Sequence, residues 1–319
     1  MEAAVIFSYT EPPRIGSFPE PAPHDGEVLV HVLAAALNPS TRVMASGVHY
    51  ARPRELPAVC GVDGVGRLGD GTRVFFGGPR TPYGTFSSRT VVARQRCWEI
   101  PDGVADVAAA ALPNAALSSW LPLVSTAGFK PGDSVLVLGA TGTAGKLAVQ
   151  IAKLLGAGRI VAAGRNSKVL EGLSALGADA TIKLDDPDED AREAFVREAG
   201  DSGYQVILDY LWGDPVQTVL SALKSERIRL DSTGPRLVQI GNSAGPTATL
   251  AAQTVRSANL TIVGGGFPAP EVFMSTFRQL MEFAAEGKIR IDTEAVPLDQ
   301  FPAAWNRGDQ DGRRIVIVP

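Results

Sequence analysis

Cysteine is scarce: Cys60 and Cys97 are the only two in 319 residues. Two thiols cannot build a disulfide framework or a four-thiolate zinc lobe. That count fits a reducing compartment, and a cytoplasmic location is the expectation. Positive charge is not in excess either. Thirty Lys plus Arg stand against 34 Asp plus Glu, a net charge of -4, which is a poor match to a phosphate backbone. Nucleic acid is therefore not an expected partner. The head, MEAAVIFSYTEPPRIG, carries Glu2 and no basic start followed by a long apolar stretch, so it does not read as a targeting segment. Long uncharged runs are also missing, with one exception, Val107 to Phe129. Pro113, Asn114, Ser118, Ser119 and Pro122 interrupt that run, and much of its apolar content is Ala. A buried Ala-rich helix or helix pair is expected there, and no membrane partner.

What is present is apolar material. Hydrophobic residues make up 45% and charged residues 20%, which excludes the disordered class. The 34 Gly and 23 Pro exceed the usual shares of about 7% and 5% and show no collagen period. They imply tight turns and close backbone approaches. The length suggests about two domains.

The first hundred or so residues read as strands separated by Gly and Pro clusters. Glu27–Ala36 (EVLVHVLAAA), a turn into a strand at 71–76 (GTRVFF) and Arg89–Arg94 (RTVVAR) are the clearest. From about residue 102 to 265 the pattern alternates. Strands are expected at 134–139, 159–163, 204–209, 236–240 and 260–263, and helices at 143–155 and 168–176. Such alternation indicates a parallel sheet with crossovers. Glu271–Glu286 is patterned as an amphipathic helix, and Arg314–Val318 as a final strand.

The sharpest motif is GATGTAG, Gly139–Gly145, directly after an apolar strand and opening a helix. It fits a dinucleotide fingerprint with Ala140 in the first glycine position, followed by Gly142 and Gly145. Gly142 lets the backbone approach a pyrophosphate, and Gly145 permits close helix–strand packing. The amides of Thr143, Ala144 and Gly145 at the helix start favour an anion. An acidic residue about 20 positions beyond the motif marks NAD sites. Here the next strand ends in VAAGRNSK. Gly164 leaves space, Arg165 suits a 2′-phosphate, and Asn166, Ser167 and Lys168 add donors. NADPH is favoured over NADH.

Longer stretches now become specific: LNPSTRVMASG (37–47), LPAVCGVDGVG (56–66), YGTFSSRTVV (83–92), KPGDSVLVLGATGTAG (130–145), VQIGNSAGP (238–246) and the closing GRRIVIVP. With them the chain resembles the zinc-independent quinone oxidoreductases of the medium-chain dehydrogenase/reductase superfamily, over nearly its whole length. The resemblance implies an α/β protein: a GroES-like β-rich catalytic domain plus a Rossmann, doubly wound parallel-sheet cofactor domain. The expected division is 1–118 and 267–319 for the catalytic domain, with 119–266 as the NADPH-binding domain. It also implies NADPH and substrate meeting in a cleft, and a homodimer.

In zinc-dependent relatives the segment matching Cys60–Asp63 carries a ligand His followed by Glu. Here those places hold Val62 and Asp63, and the other ligand positions fall near Ser40 and Asn114. The three histidines, His24, His31 and His49, are scattered. A catalytic zinc needs about three N, S or O ligands with one position open, so no metal is expected. Without it, donors must meet the charge that develops on a substrate oxygen. Asn38 and Tyr50 lie in loops that match the family's active-site loops. The family's RSGxY run appears as ASGVHY, with Ala45 for Arg and His49 added before Tyr50. Asn38 could equally cap the turn before Pro39. Gly241 and Asn242 of GNS follow a strand end, beside the nicotinamide ribose by resemblance, and Phe267 is expected to wall the nicotinamide or pocket.

These readings point to an NADPH-dependent, zinc-independent oxidoreductase that transfers hydride to a small-molecule quinone or activated carbonyl (enone). The altered ASGVHY loop keeps open the competing reading, a non-catalytic NADPH-binding sensor or structural protein.

Overall fold

The computed structural model describes residues 1–48, 52–186, 190–201, 203–228, 233–266, 270–307 and 309–319, without the side chains of 270 and 271. The chain forms two compact units. One is Met1–Asn114 with Gln279–Pro319, and the other is Ala115–Arg278. Their borders fall inside helices Asp106–Leu121 and Pro270–Ala285. The expected borders, 118/119 and 266/267, lie 4 and 12 residues away. No Gly- or Pro-rich linker marks a border that runs through a helix.

The first unit is built on strands. Arg314–Val318 lies between Thr293–Pro297 and Glu27–Ala36, pairing Val316 with Ala36 and Ile317 with Ala35. Glu27–Ala36 continues the sheet through Asp63–Arg67, Arg73–Gly77 and Cys97–Glu99, and also pairs Arg89–Ala93. The last strand of the chain thus joins the sheet begun by Glu27–Ala36. Val30, Phe76, Phe86, Phe301, Ile315 and Ile317 are fully buried in its core.

The second unit holds six parallel strands: β1 (Ser134–Leu138), β2 (Arg159–Gly164), β3 (Ala180–Lys183), β4 (Val206–Asp209), β5 (Arg236–Gln239) and β6 (Thr261–Gly264). Their order is β3-β2-β1-β4-β5-β6. This is the doubly wound dinucleotide-binding arrangement, whose strand order reverses between β1 and β4. Every residue of β1 is buried, as its unbroken apolar run requires of a strand covered on both faces. Strand β3 (ATIK) is absent from the sequence expectation. It lies at the sheet edge with only Ile182 buried, so it carries no apolar run to read.

Helix Asp106–Leu121 continues through a π-turn at Pro122–Thr126. It is long and apolar enough to cross a membrane, yet 72% of its apolar window is buried inside the protein. Ala109, Ala111 and Ala116 have no exposed surface, as in a core helix.

Candidate functional site

The glycine motif forms a turn from β1 into helix Thr143–Leu154. Gly139 takes φ +97°, a left-handed conformation that favours glycine. The amides of Gly139 and Ala140 both donate to the Ala163 carbonyl of β2, at 2.9 and 2.8 Å, which fixes the turn against the sheet. Gly142 is the N-cap, with extended φ -82° and ψ 167° and no side-chain cap. The first turn of this helix, Thr143 to Gly145, thus presents the kind of helix start whose dipole favours an anion. A Cβ on Gly145 would lie 2.2 Å from the Gly139 oxygen and 2.6 Å from Ala140 Cα. The helix therefore sits directly against the turn. A Cβ on Gly142 would meet only the Gly139 oxygen, at 3.5 Å. The protein itself does not require glycine at 142, whereas a close ligand would.

Strand β2 ends at Gly164, with Arg165 and Lys168 exposed beyond it. Asn166 caps helix Ser167–Gly172, its Oδ1 accepting the Val169 amide at 3.2 Å. No carboxylate stands between Gly164 and Lys168, so the strand end is cationic. Gly164 needs correction. Its missing Cβ makes room for Thr141, whose Cγ2 and Oγ1 would lie 2.4 and 2.7 Å away. The space left by the missing side chain is thus taken up by Thr141.

The GNS loop leaves β5 beside β4. The amides of Ile240 and Gly241 donate to the Asp209 carbonyl at 2.8 and 3.1 Å. A Cβ on Gly241 would come within 2.7 Å of the Tyr210 oxygen, and Ser243 Oγ donates to that same oxygen at 3.1 Å. Asn242 is exposed. These loops lie at the carboxyl ends of parallel strands around the reversal point, where open sheets of this kind bind ligands.

The residues that pin these loops carry no motif in the sequence. Asp209 is fully buried. Its Oδ1 accepts the amides of Leu211 and Trp212 at 2.8 and 3.0 Å, and burial raises its proton affinity against those bonds. The hydroxyls of Tyr210 and Ser119 share a 2.8 Å hydrogen bond. Ser119 Oγ also donates toward the Ala144 carbonyl at 3.1 Å, inside the glycine motif's helix. Burial holds the Tyr210 hydroxyl above its ordinary range. A single Tyr after a strand carries no sequence signal for such a tie, because Ser119 is 91 positions away.

In the first unit, Asn38 is the N-cap of helix Pro39–Ala45, but its side chain does not cap. Instead Nδ2 donates to Asp63 Oδ1 at 3.1 Å. Asn38 has no exposed surface, so the amide expected to face a substrate oxygen is directed at Asp63. Asp63 is half-buried. Burial pushes its carboxyl up to about 7, with Arg314 and the Asn38 hydrogen bond pulling the other way. Arg314 is buried, and its Nη1 donates to the Leu37 carbonyl at 3.1 Å and faces Asp309 at 3.3 Å. Tyr50 and Phe267 lie outside the described residues.

The donor chemistry for a metal is poor. Among the described residues, no three of His, Cys, Asp and Glu gather as ligands. Burial pushes the Cys60 thiol up to about 12 and raises Cys97 as well, so neither is a ready thiolate.

Residues 144–286 match the family model described as zinc-binding dehydrogenase. That segment contains neither His nor Cys. The chain is 28% identical over 316 residues to a phenolphthiocerol/phthiocerol polyketide synthase of Mycobacterium tuberculosis, covering 93% of this chain and 14% of that one. It thus spans about a seventh of that relative. It is 26% identical over 370 residues to a protein of Emericella nidulans named probable NADPH-dependent quinone reductase tdiC, covering 100% of both. Among solved structures, the quinone oxidoreductase of Thermus thermophilus, described with its NADPH complex, matches with TM-score 0.78, 25% identity and 100% coverage of both chains. A NAD-dependent alcohol dehydrogenase matches with TM-score 0.83, 24% identity and 100% coverage of both, a likeness of fold.

Proposed function

Because the chain belongs to the quinone oxidoreductase family of the medium-chain dehydrogenase/reductase superfamily, we propose that it is an NADPH-dependent, zinc-independent oxidoreductase. In this reading it reduces a small quinone or an enone. The observation that carries the reading is the turn at Gly139–Gly145. Gly142 is left without a packing reason to be glycine, and Gly145 holds the helix start against the strand end. The cationic end of β2 supports NADPH over NADH, since Arg165 and Lys168 are exposed where an acidic ribose partner would stand.

When bound, the nicotinamide supplies hydride. The chain's residues bind and orient it. First-turn amides of Thr143, Ala144 and Gly145 hold the pyrophosphate, Arg165 and Lys168 the 2′-phosphate, and Gly241 and Asn242 the ribose beside the nicotinamide. Tyr50 donates a hydrogen bond to the acceptor oxygen as charge builds there, and Phe267 walls the nicotinamide. The zinc-free part of the proposal rests on donor chemistry: the ligand positions hold Ser40, Val62 and Asn114. An enone acceptor also accords with a relative named 2-methylene-furan-3-one reductase in Solanum lycopersicum, 34% identical over 176 residues, 50% of this chain and 45% of that one. A cytoplasmic homodimer completes the proposal.

The test is NADPH oxidation against a panel of quinones, enones and simple ketones, with metal analysis of the same preparation. Turnover on a quinone or enone without stoichiometric zinc is expected. Tight NADPH binding with no turnover on any acceptor would leave a non-catalytic NADPH-binding protein. Light scattering in solution checks the dimer.

A further inference from the structure

A dinucleotide is held at separate points, and their spacing fixes how its nicotinamide end is presented. Resting on the reading above, we propose that Tyr210 is the positioning residue that sets this spacing. It ties the glycine turn, which holds the pyrophosphate in that reading, to the GNS loop, which holds the nicotinamide ribose. Its action is indirect, through the two loops.

Tyr210 directly follows β4, the strand beside β1 at which the sheet order reverses. Its polar groups go to different segments. The amide donates to the Leu138 carbonyl at the end of β1, at 3.0 Å. The carbonyl accepts from Ser243 Oγ of the GNS loop at 3.1 Å. The hydroxyl meets Ser119 Oγ at 2.8 Å and the Ser118 carbonyl at 3.2 Å. Ser119 Oγ in turn reaches the Ala144 carbonyl at 3.1 Å, in the first turn of the helix that opens after Gly142. One residue thus spans from the helix start of the glycine motif to the ribose loop. All of these residues belong to the second unit, Ala115–Arg278.

Both loops close tightly on the segment that follows β4. A Cβ on Gly139 would lie 3.2 Å from Tyr210 Cβ and 3.1 Å from Leu211 Cδ2. From the GNS loop, a Cβ on Gly241 would lie 2.7 Å from the Tyr210 oxygen, and the Ala244 amide donates to the Leu211 carbonyl at 2.8 Å. An independent observation is strain in the same segment. Trp212 has φ 56° and ψ -160°, a conformation nearly restricted to glycine. Asp209 Oδ1 accepts its amide at 3.0 Å and helps hold it there. A bulky residue stays in such a conformation only where its surroundings over-determine it, and such residues cluster at ligand sites. The spacer is therefore stiff as well as bonded at both ends.

The experiment compares two ligands by calorimetric titration. NADPH carries the pyrophosphate and the nicotinamide ribose. Adenosine 2′,5′-bisphosphate keeps the 2′-phosphate but has no nicotinamide ribose to meet the GNS loop. Tyr210→Phe removes only the hydroxyl. It should raise the NADPH Kd by about 2- to 13-fold, the worth of about one neutral hydrogen bond, and leave the bisphosphate Kd unchanged. A helix start that has lost its tie can still close on the shorter ligand. At saturating NADPH, kcat for a quinone or enone should fall by up to about 10²-fold, as a misplacement of about 1 Å costs. Ser119→Ala should reproduce both effects, and the double variant should be no worse than either single one, because the two residues share one bond. Ser243→Ala cuts the tie at the other end and should also weaken NADPH alone. A purely structural tie would lower Tm and weaken both ligands equally or neither, and either result overturns the proposal. Should Tyr210→Phe fail to fold, an unchanged ratio of the two affinities in Ser243→Ala overturns it equally. Native protein that binds no NADPH counts against the proposed function itself. Native binding that neither Tyr210→Phe nor Ser243→Ala disturbs counts against Tyr210 alone.

Discussion

Adding one methyl group at either of two glycines separates the cofactor role of the turn from its packing role. In Gly145→Ala the new carbon would lie 2.2 Å from the Gly139 oxygen and 2.6 Å from Ala140 Cα. Close C···O contacts run to about 3.3 Å, so the helix start must move by about 1 Å. The obstacles cannot retreat, because Gly139 and Ala140 are both bonded to the Ala163 carbonyl. Overpacking of this kind costs about 1–3 kcal/mol, and rigid backbone on both sides places the cost near about 3. For a domain the size of Ala115–Arg278, that lowers Tm by about 6–12 °C. Gly142→Ala meets only the Gly139 oxygen at 3.5 Å, at a φ of -82° that alanine adopts freely. Its stability cost is the modest N-cap preference for Gly over Ala, under about 1 kcal/mol. Yet if a pyrophosphate lies over this turn, the methyl occupies the same space, at about 1–3 kcal/mol of binding. That is a rise of about 5- to 150-fold in the NADPH Kd. Thermal denaturation and NADPH fluorescence titration read the two effects separately. A Gly142→Ala protein that binds NADPH like the native one would refute the placement of the pyrophosphate. An unchanged Tm in Gly145→Ala would refute the rigidity of the turn.

Three other outcomes are expected. Arg165→Ala should weaken NADPH by about 10- to 150-fold, the worth of a charged hydrogen bond of about 1.5–3 kcal/mol, and leave NADH unchanged; equal losses for both cofactors in titration would remove Arg165 from the 2′-phosphate. Gly164→Ala should destabilise by about 1–3 kcal/mol through Thr141, and the Thr141→Ala background should recover most of it in urea denaturation, whereas no recovery would mean another contact opposes the methyl. Asp63 binds its proton more tightly folded than unfolded, about 7 against 3.8, so it adds no penalty below pH about 4 and costs stability progressively as pH rises toward 7. Asp63→Asn should therefore match the native protein at pH 4 and exceed it at pH 8, by at most about 4 kcal/mol; equal unfolding free energies at pH 8 would refute the raised proton affinity of this half-buried carboxyl.

The sequence by itself determined what depends on neighbours along the chain. A run such as SVLVL, buried throughout, announces a strand covered on both faces. The spacing of Gly139, Gly142 and Gly145 announces a strand–turn–helix, because backbone conformation and close approach are local demands. The missing acid after β2 is legible for the same reason. Tertiary structure alone decided the rest. Strand β3 is half-polar and exists through its pairing with β2. Gly164 looks like phosphate space until Thr141 is seen in it. Asn38 reads as a cap or a substrate donor, yet its amide goes to a carboxyl 25 positions on. Arg314, which biases that carboxyl, reaches Leu37 across 277 positions. Desolvation and charge pairing depend on distances in space, and no pattern along the chain records them until the last strand closes the first sheet.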